Sequence, residues 1–470
     1  MRFRRLVWTA GALALSCALT ACGGEDSSSS SASASTSGSS SPSASGTSSV
    51  ESSPTVAPKP VTLTIGLVGS KPLVRAYAKV ARDYDDVQPS VTIKITRWSD
   101  EEAMTTDLAS GGDAPDLFLA PSAELTTLES AGVVRPVDDY LEARNVDLGD
   151  GYSRAALEEF SRDRELQCMP YVASPQVTYV NTDLVGDKAM KAAGMDVSDE
   201  DDTGWSVDQF SSVMDYVAQH HADVAGVYVD RSLSGLAPWL AGAGGTLVDS
   251  TTAPTRTALG DSVEALDQVL PVLDESRTTI TDETTDSAAA LRMFERGKLA
   301  VLVGDRSLVP TLRATAGLHW DVRTMPGGQG TAGDYTGLCL SQSTDHPEAA
   351  ADLLAYLIST GSVEDLSRSG YFVPVNQQVA LGDIFLQPYA RPANAKAYTS
   401  SIGSMQPLPT QSELATLRGE VGTQVDRLFA LSFPAASQSG SDDTPSVVQR
   451  LATRIDRRSA VAFPPTGDEG

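Results

Sequence analysis

The groups in this chain whose types could do chemistry are four cysteines, four histidines and a large excess of carboxylates. The histidines are His220, His221, His319 and His346. None sits in HExxH and no two cysteines form CxxC, so the sequence writes no zinc site. The sequence also lacks GxSxG, the elbow of a serine nucleophile, and GxxxxGK[ST], the phosphate loop. Gly242-Ala243-Gly244-Gly245 is glycine-rich but lacks the rest of a dinucleotide fingerprint, so it reads as a turn. The 61 Asp and Glu residues admit a glycosidase pair by composition, yet no spacing singles out two of them. The expectation is a protein with no catalytic residue, no metal and no cofactor. An exported glycoside hydrolase is kept as the enzyme alternative.

Cys22 has its own chemistry. Arg2, Arg4 and Arg5 are followed by an uncharged, mostly apolar run from Leu6 to Leu19, then by small residues. That is the layout of a secretory signal, too short for the ~20 residues of a spanning helix. Leu19-Thr20-Ala21-Cys22 resembles a bacterial lipobox, in which the peptide is cut before the cysteine and the cysteine is acylated. The resemblance implies a signal over 1–21 and a lipid anchor at Cys22; a cleaved signal with Cys22 incidental is the alternative. Residues 25–58 are almost all Ser, Ala, Thr, Gly and Pro, too poor in apolar mass to fold. A flexible linker over 22–60 would have a mean reach of about 34 Å by the square-root rule.

The formal net charge is −26, and more negative by three once Arg2, Arg4 and Arg5 leave with the signal. Nucleic-acid affinity rests on Lys and Arg meeting phosphate, so no nucleic-acid partner is expected. After removal of Cys17 and use of Cys22, Cys168 and Cys339 remain in an oxidising location. A Cys168–Cys339 disulfide is the expectation, with two separately buried thiols as the alternative.

The elements that must position any site alternate. Val61–Val68 reads as a buried strand, and Leu73, Ala76, Tyr77, Val80, Ala81 and Tyr84 share one helical face. Val91–Trp98 is a second strand, Glu101–Ser110 a helix, Pro115–Ala120 a third strand and Leu125–Ser130 a helix. Alternating strands and helices imply parallel βαβ units and an α/β fold. Leu166–Leu184 is extended and interrupted by Pro170 and Pro175. A helix over 205–217 has Ser206 as its cap. Val224–Val229, Leu299–Gly304 and Thr336–Leu340 read as strands, and a helix starts at His346-Pro347. Residues 376–470 are helical and loop-rich.

Seven segments in order resemble the maltose-binding-like extracellular solute-binding proteins of ABC importers. They include LASGGDAPDLFLAPSAELTTLESAGVVRPVDDYL, CMPYVASPQVTYVNTDLV, WSVDQF and APWLAGAGGTLVD. MFERGKLAVLVGD, GLCLSQSTDHPEAAADLLAYLIS and GYFVPVN follow, and with the opening strand and turn IGLVGSKP the resemblance spans about residues 62–376. The resemblance implies two α/β lobes joined by crossing strands that form a hinge. It implies a first lobe over 61–169 plus 327–375, a second over 170–326 plus 376–470, and a solute held in the cleft between them. It also implies a monomer on the extracellular face of the cell membrane, working with an ABC permease. A sensor or scaffold that feeds no importer is the alternative within the family.

On that fold the cleft is lined by loops after strand ends. The expected ligand-binding residues are Ser70, Trp98, Asp100, Ser122, Tyr171, Ser174, Trp239, Gly245, Asp305 and Tyr371. Lys71, Ser99, Pro121, Val172, Ala173 and Gly244 lie in the same loops. Aromatic faces with carboxylates and hydroxyls would suit a sugar or oligosaccharide. Trp205, Asp116 and Asn181 are expected to be structural. KLAVLVGD departs from the family's small-residue strand, and the chain has only five tryptophans, which weakens the sugar expectation more than the fold.

Overall fold

β-Branched and apolar runs become strands at the places their periodicity predicts. The computed structural model describes residues 59–194, 204–251, 253–273, 279–281, 286–431 and 446–463. The signal, Cys22 and the linker lie outside the described residues up to position 58. The strands are β1 Val61–Val68, β2 Val91–Trp98, β3 Leu117–Pro121, β4 Val134–Arg135, β5 Ser161–Arg162, β6 Glu165–Leu166, β7 Cys168–Pro175 and β8 Val177–Asn181. They continue as β9 Ala225–Val229, β10 Thr279–Thr281, β11 Leu299–Gly304, β12 Trp320–Arg323, β13 Thr331–Ser341, β14 Val373–Pro374 and β15 Met405–Pro407.

Among the described residues there are two large sheets. The first runs β14-β7-β13-β3-β1-β2, with β4 and β15 paired onto β13. β1, β2 and β3 are parallel, as βαβ units require, while β13 runs antiparallel between β3 and β7. The second sheet runs β10-β9-β11-β8-β12, with β8 antiparallel to both of its neighbours. The structure thus has the two-lobe α/β architecture with crossing strands.

Helix Lys71–Val87 shows how the sequence makes these layers. Ser70 caps it, Pro72 starts it, and Tyr77, Val80, Ala81 and Tyr84 recur on the buried face. Helix Val207–His220 opens with the Ser206–Gln209 capping box and buries Phe210, Val213, Met214 and Val217. Trp205 is buried beside it, with its ring 5.7 Å from that of Phe210. Asp116 serves local structure, accepting from the Thr64 backbone and hydroxyl and from the Thr344 hydroxyl.

Two crossings form the pinned part of the hinge. β7 passes through Gln176 into β8, and β12 returns through residues 324–330 into β13. They are pinned to each other: Gln176 N donates to the Ala332 carbonyl at 3.0 Å, and the Thr331 hydroxyl donates to the Gln176 carbonyl at 2.6 Å. The approach is so close that a Cβ at Gly333 would lie 2.4 Å from the Ser174 carbonyl oxygen, so only glycine fits there. A third passage follows β15, where Pro407–Thr410 leads into helix Gln411–Phe429, whose Leu417, Val421, Val425 and Leu428 join the second core.

Residues 376–402 divide between the two sheets' layers. Val379 and Phe385 pack in the first core, in helices set against helix Thr360–Ser367. Arg391 and Asn394 bond β12 of the second sheet through the carbonyls of Trp320 and Val322. The expectation that everything from 376 onward sits with the second lobe therefore meets a segment that touches both. Its apolar residues carry no signal saying which layer they cover.

Cys168 and Cys339 lie directly opposite each other on β7 and β13, with Cα atoms 4.3 Å apart, and are joined as a disulfide. The bond staples two adjacent strands of one sheet; it does not tie the lobes together.

Candidate functional site

Where the elements of the two cores face each other they leave a cavity of about 710 Å³. That lies within the range of about 300–1,000 Å³ usual for small-molecule sites. On one wall, helix Glu101–Ala109 contributes Glu102, Thr105 and Thr106, and the turn after β3 contributes Ser122, Ala123 and Glu124. Glu159 and Arg162 extend this wall. The opposite wall is Val248, Thr251, Ala253 and Pro254 and the stretch from Pro407 through Glu413 to Thr416. Hydroxyls are frequent: Thr126, Thr127, Thr251, Thr410 and Ser412 also line it, while no described lining residue is aromatic.

Local sequence explains why these side chains stand there. Asp100 caps helix Glu101–Ala109 by accepting from Ala103 N at 2.8 Å, which sets Glu101 and Glu102 in the first turn beside the cavity. Pro121 ends β3, so Ser122 and Glu124 turn off the sheet end. Thr410-Gln411-Ser412-Glu413 is a capping box, in which Glu413 accepts from Thr410 N at 2.8 Å while the Thr410 hydroxyl accepts from Glu413 N at 3.1 Å.

The electrostatics are one-sided. Burial, then the Thr105 hydroxyl working the other way, then Glu101, Glu413 and Glu102 set the Glu124 carboxyl, which lies above its ordinary range. Burial and Asp100 raise Glu101 in the same direction. Glu159 is raised by burial and partly held down by Arg162 and Thr251. At the hinge, Asp334 on β13 faces Ser174 on β7 and accepts from Leu408 N. Burial, reinforced by Glu101 and Asp305, pushes its carboxyl up to about 7. Glu101 thus acts on both the cavity wall and the hinge floor. Arg162 is the one cation among the described lining residues; its ion pair is with Glu129 at 4.0 Å, and it also donates to the Glu159 and Ser161 carbonyls. Among the described residues no group of three or more His, Cys, Asp or Glu is arranged to hold a metal ion.

The residues expected at the site are dispersed. Ser122 lines the cavity, 5% exposed, with its Oγ bonded to nothing in the structure. Asp100 is a helix cap at the cavity's edge, and Ser174 and Asp305 flank Asp334 at the hinge. Asp305 also caps the turn Arg306–Leu308 through Ser307 N, and its carbonyl accepts from the Tyr179 hydroxyl. Ser70 is the exposed cap of helix Lys71–Val87. Trp98 is half-buried, its indole donating to Asp107 at 2.8 Å and its ring covering Gly66, where a Cβ would be 2.5 Å from it. Tyr371 packs at the edge of the first core.

Three expected ligand contacts are buried in this structure. Tyr171 is a core residue between Tyr77 and Phe372, its hydroxyl donating to the Leu357 carbonyl. Trp239 is 2% exposed and meets Phe210 edge-on at 5.2 Å in the second core. Gly245 is buried against Leu240 and Ala265, and its carbonyl accepts from Gln406. In each case apolar neighbours remote in sequence supply a partner that position in the chain alone does not reveal.

Sequence reasoning missed Glu101, Glu124, Asp334 and Glu413. A lone acid in the otherwise apolar strand TAGDYTGLCL and the Thr-x-x-Glu signature at 410–413 were signals that could have found two of them.

The bacterial extracellular solute-binding protein family matches residues 75–396, more than half of the chain. No curated protein matches the chain in sequence. Among solved structures, the ABC substrate-binding protein Lmo0181 from Listeria monocytogenes, in complex with cycloalternan, is 16% identical. It aligns over 85% of this chain and 98% of its own, with a TM-score of 0.66. The GacH receptor of Streptomyces glaucescens is 17% identical over 86% and 98%, also at 0.66. The sugar-binding protein MalE from Xanthomonas citri is 15% identical over 86% and 97%, at 0.67. At such identities the likeness is one of fold.

Proposed function

Because the chain belongs to the bacterial extracellular solute-binding proteins, we propose that it holds a sugar or oligosaccharide between its lobes and delivers it to an ABC permease. The observation that carries this reading is the cavity of about 710 Å³ bounded by elements of both cores and rich in hydroxyl and carboxylate groups. Such groups accept and donate to sugar hydroxyls, and a site between two lobes shuts around its ligand when the hinge bends. Several structural neighbours are described as sugar binders, which agrees with the class of solute. The lining carboxylates have a binding role in this reading and no catalytic one. Ser122, Glu124 and Thr410 are assigned to ligand contact, with Asp334 at the hinge beneath them. Cys22 is assigned as the acylated anchor, and the serine-rich stretch as the tether of a monomer.

Calorimetric titration with neutral mono- and oligosaccharides tests this. Thr106 is exposed on the cavity wall, so Thr106→Trp fills space without disturbing a core. Saturable binding that Thr106→Trp abolishes supports the reading. Binding that survives Thr106→Trp unchanged places the ligand elsewhere and contradicts it.

A further inference from the structure

The cavity's charge says more than its volume. Glu102, Glu124, Glu159 and Glu413 line it, against Arg162 alone among the described residues. Arg162 is committed to the Glu129 and Glu159 side of the wall. The fields of Glu102 and Glu413 both fall on Glu124, and no cation among the described lining residues other than Arg162 answers them. The chain as a whole is acidic, but exposed acids are hydrated and need nothing. Here Glu124 is only 8% exposed, so its ionised form loses water without gaining a counter-charge. Ser122 is the independent sign that a ligand completes the wall. It is 5% exposed, lines the same cavity and has a buried Oγ bonded to nothing in the structure. A buried polar atom left without a partner is costly, and a ligand group would satisfy it.

Resting on the sugar-binding reading above, we propose that the solute is a cationic saccharide, one carrying a protonated amine. The ammonium sits among Glu102, Glu124 and Glu413, and a turn of the Ser122 side chain brings its Oγ from its closed-off position to a neighbouring ring hydroxyl. Charge-assisted bonds to carboxylates are about twice as strong as neutral ones, so the amine and not the ring sets selectivity. A bare metal ion is a poor occupant, since no described cluster has metal-holding geometry. An anionic sugar would meet like charge.

Matched probes decide it: glucosamine oligomers and N-acetylglucosamine oligomers of the same length, titrated calorimetrically into the full chain at low and high salt, alongside neutral maltooligosaccharides. The expected result is binding of glucosamine oligomers at least about tenfold tighter than either neutral series, weakening with salt. Glu124→Gln should remove about tenfold of that affinity. Glu102→Gln, at an exposed position that folding does not depend on, should remove a smaller share. If neutral oligomers bind as tightly as cationic ones, the cationic preference is overturned while the sugar-binding reading stands. If glucosamine oligomers bind but neither variant nor salt matters, the acidic wall is not their site and the inference falls. If no saccharide of any charge binds, both the inference and the reading fall.

Discussion

Asp334 concentrates the tension of the site in one residue. Its carboxyl, pushed up to about 7, binds a proton in the folded chain at pH values where an unfolded Asp, with its ordinary value of 3.8, has lost it. Between those two values the native state holds more protons than the unfolded one, so stability falls as pH rises from about 4 to about 7. Burial is the main cause, Glu101 and Asp305 add to it, and the Leu408 N–H works against it. Glu101 and Glu124, also raised, act in the same direction. Asp334→Asn should therefore flatten the decline in apparent melting temperature across that window. The check is thermal unfolding of both proteins from pH 4 to 8; an unchanged slope in the variant would place the cause elsewhere. Individual residues were the least legible level of the sequence. Loop position nominated Ser122 but also Tyr171 and Trp239, because exposure depends on which partners remote in sequence pack against a side chain. Glu101, Glu124 and Asp334 gain their character from burial and from one another, neither of which a single sequence displays.

Elements were legible because period and caps are local. Ser206, Pro72 and Pro347 sit at helix starts as their chemistry dictates, and β1, β2, β8, β9 and β11 match their apolar runs. β13 is longer than TGLCL suggested, since Thr331–Tyr335 pairs with β7 and β15 through partners remote in sequence. Another remote device anchors helix Val447–Ser459. Asp456, 5% exposed, accepts from the Thr257 hydroxyl and from Leu259 and Gly260 N, with Arg256 Nη1 3.7 Å away. Asp456→Ala leaves those buried donors without an acceptor and should cost about 2–4 kcal/mol, from roughly 1.5–3 kcal/mol for bonds to a charged group plus unsatisfied partners. Urea unfolding measures it; a cost near zero would mean the loop and helix are held by apolar contacts alone. The Cys168–Cys339 bond closes a loop with a sequence separation of 171, so in the chain-entropy model its removal costs up to about 5 kcal/mol. Replacing both cysteines with alanine should lower the melting temperature while leaving ligand affinity nearly unchanged, because the bond lies inside one sheet.

For the whole molecule, two sheets joined by pinned crossings make a hinge and leave the facing walls to a ligand. The pin between Gln176 and residues 331–332 is a pair of backbone-directed bonds that holds the two crossings together. Ligand addition should then reduce the radius of gyration in small-angle scattering, and Thr106→Trp should remove the response to ligand. The two-lobe arrangement was legible from the order of seven short segments; the course of residues 376–402 was not, since it touches both layers. Among the described residues no helix is long and apolar enough to cross a membrane.

Whether the cavity holds a saccharide is decided by thermal unfolding of the full chain against neutral and amino-substituted saccharides, in parallel with Thr106→Trp. A ligand that binds only the folded state adds about 2.7 kcal/mol of stability at one hundred times its dissociation constant. The expected result is a clear rise in melting temperature with at least one saccharide class, and none with the filled-cavity variant. A well-folded protein whose melting temperature stays flat across the panel, or rises equally in Thr106→Trp, would contradict it.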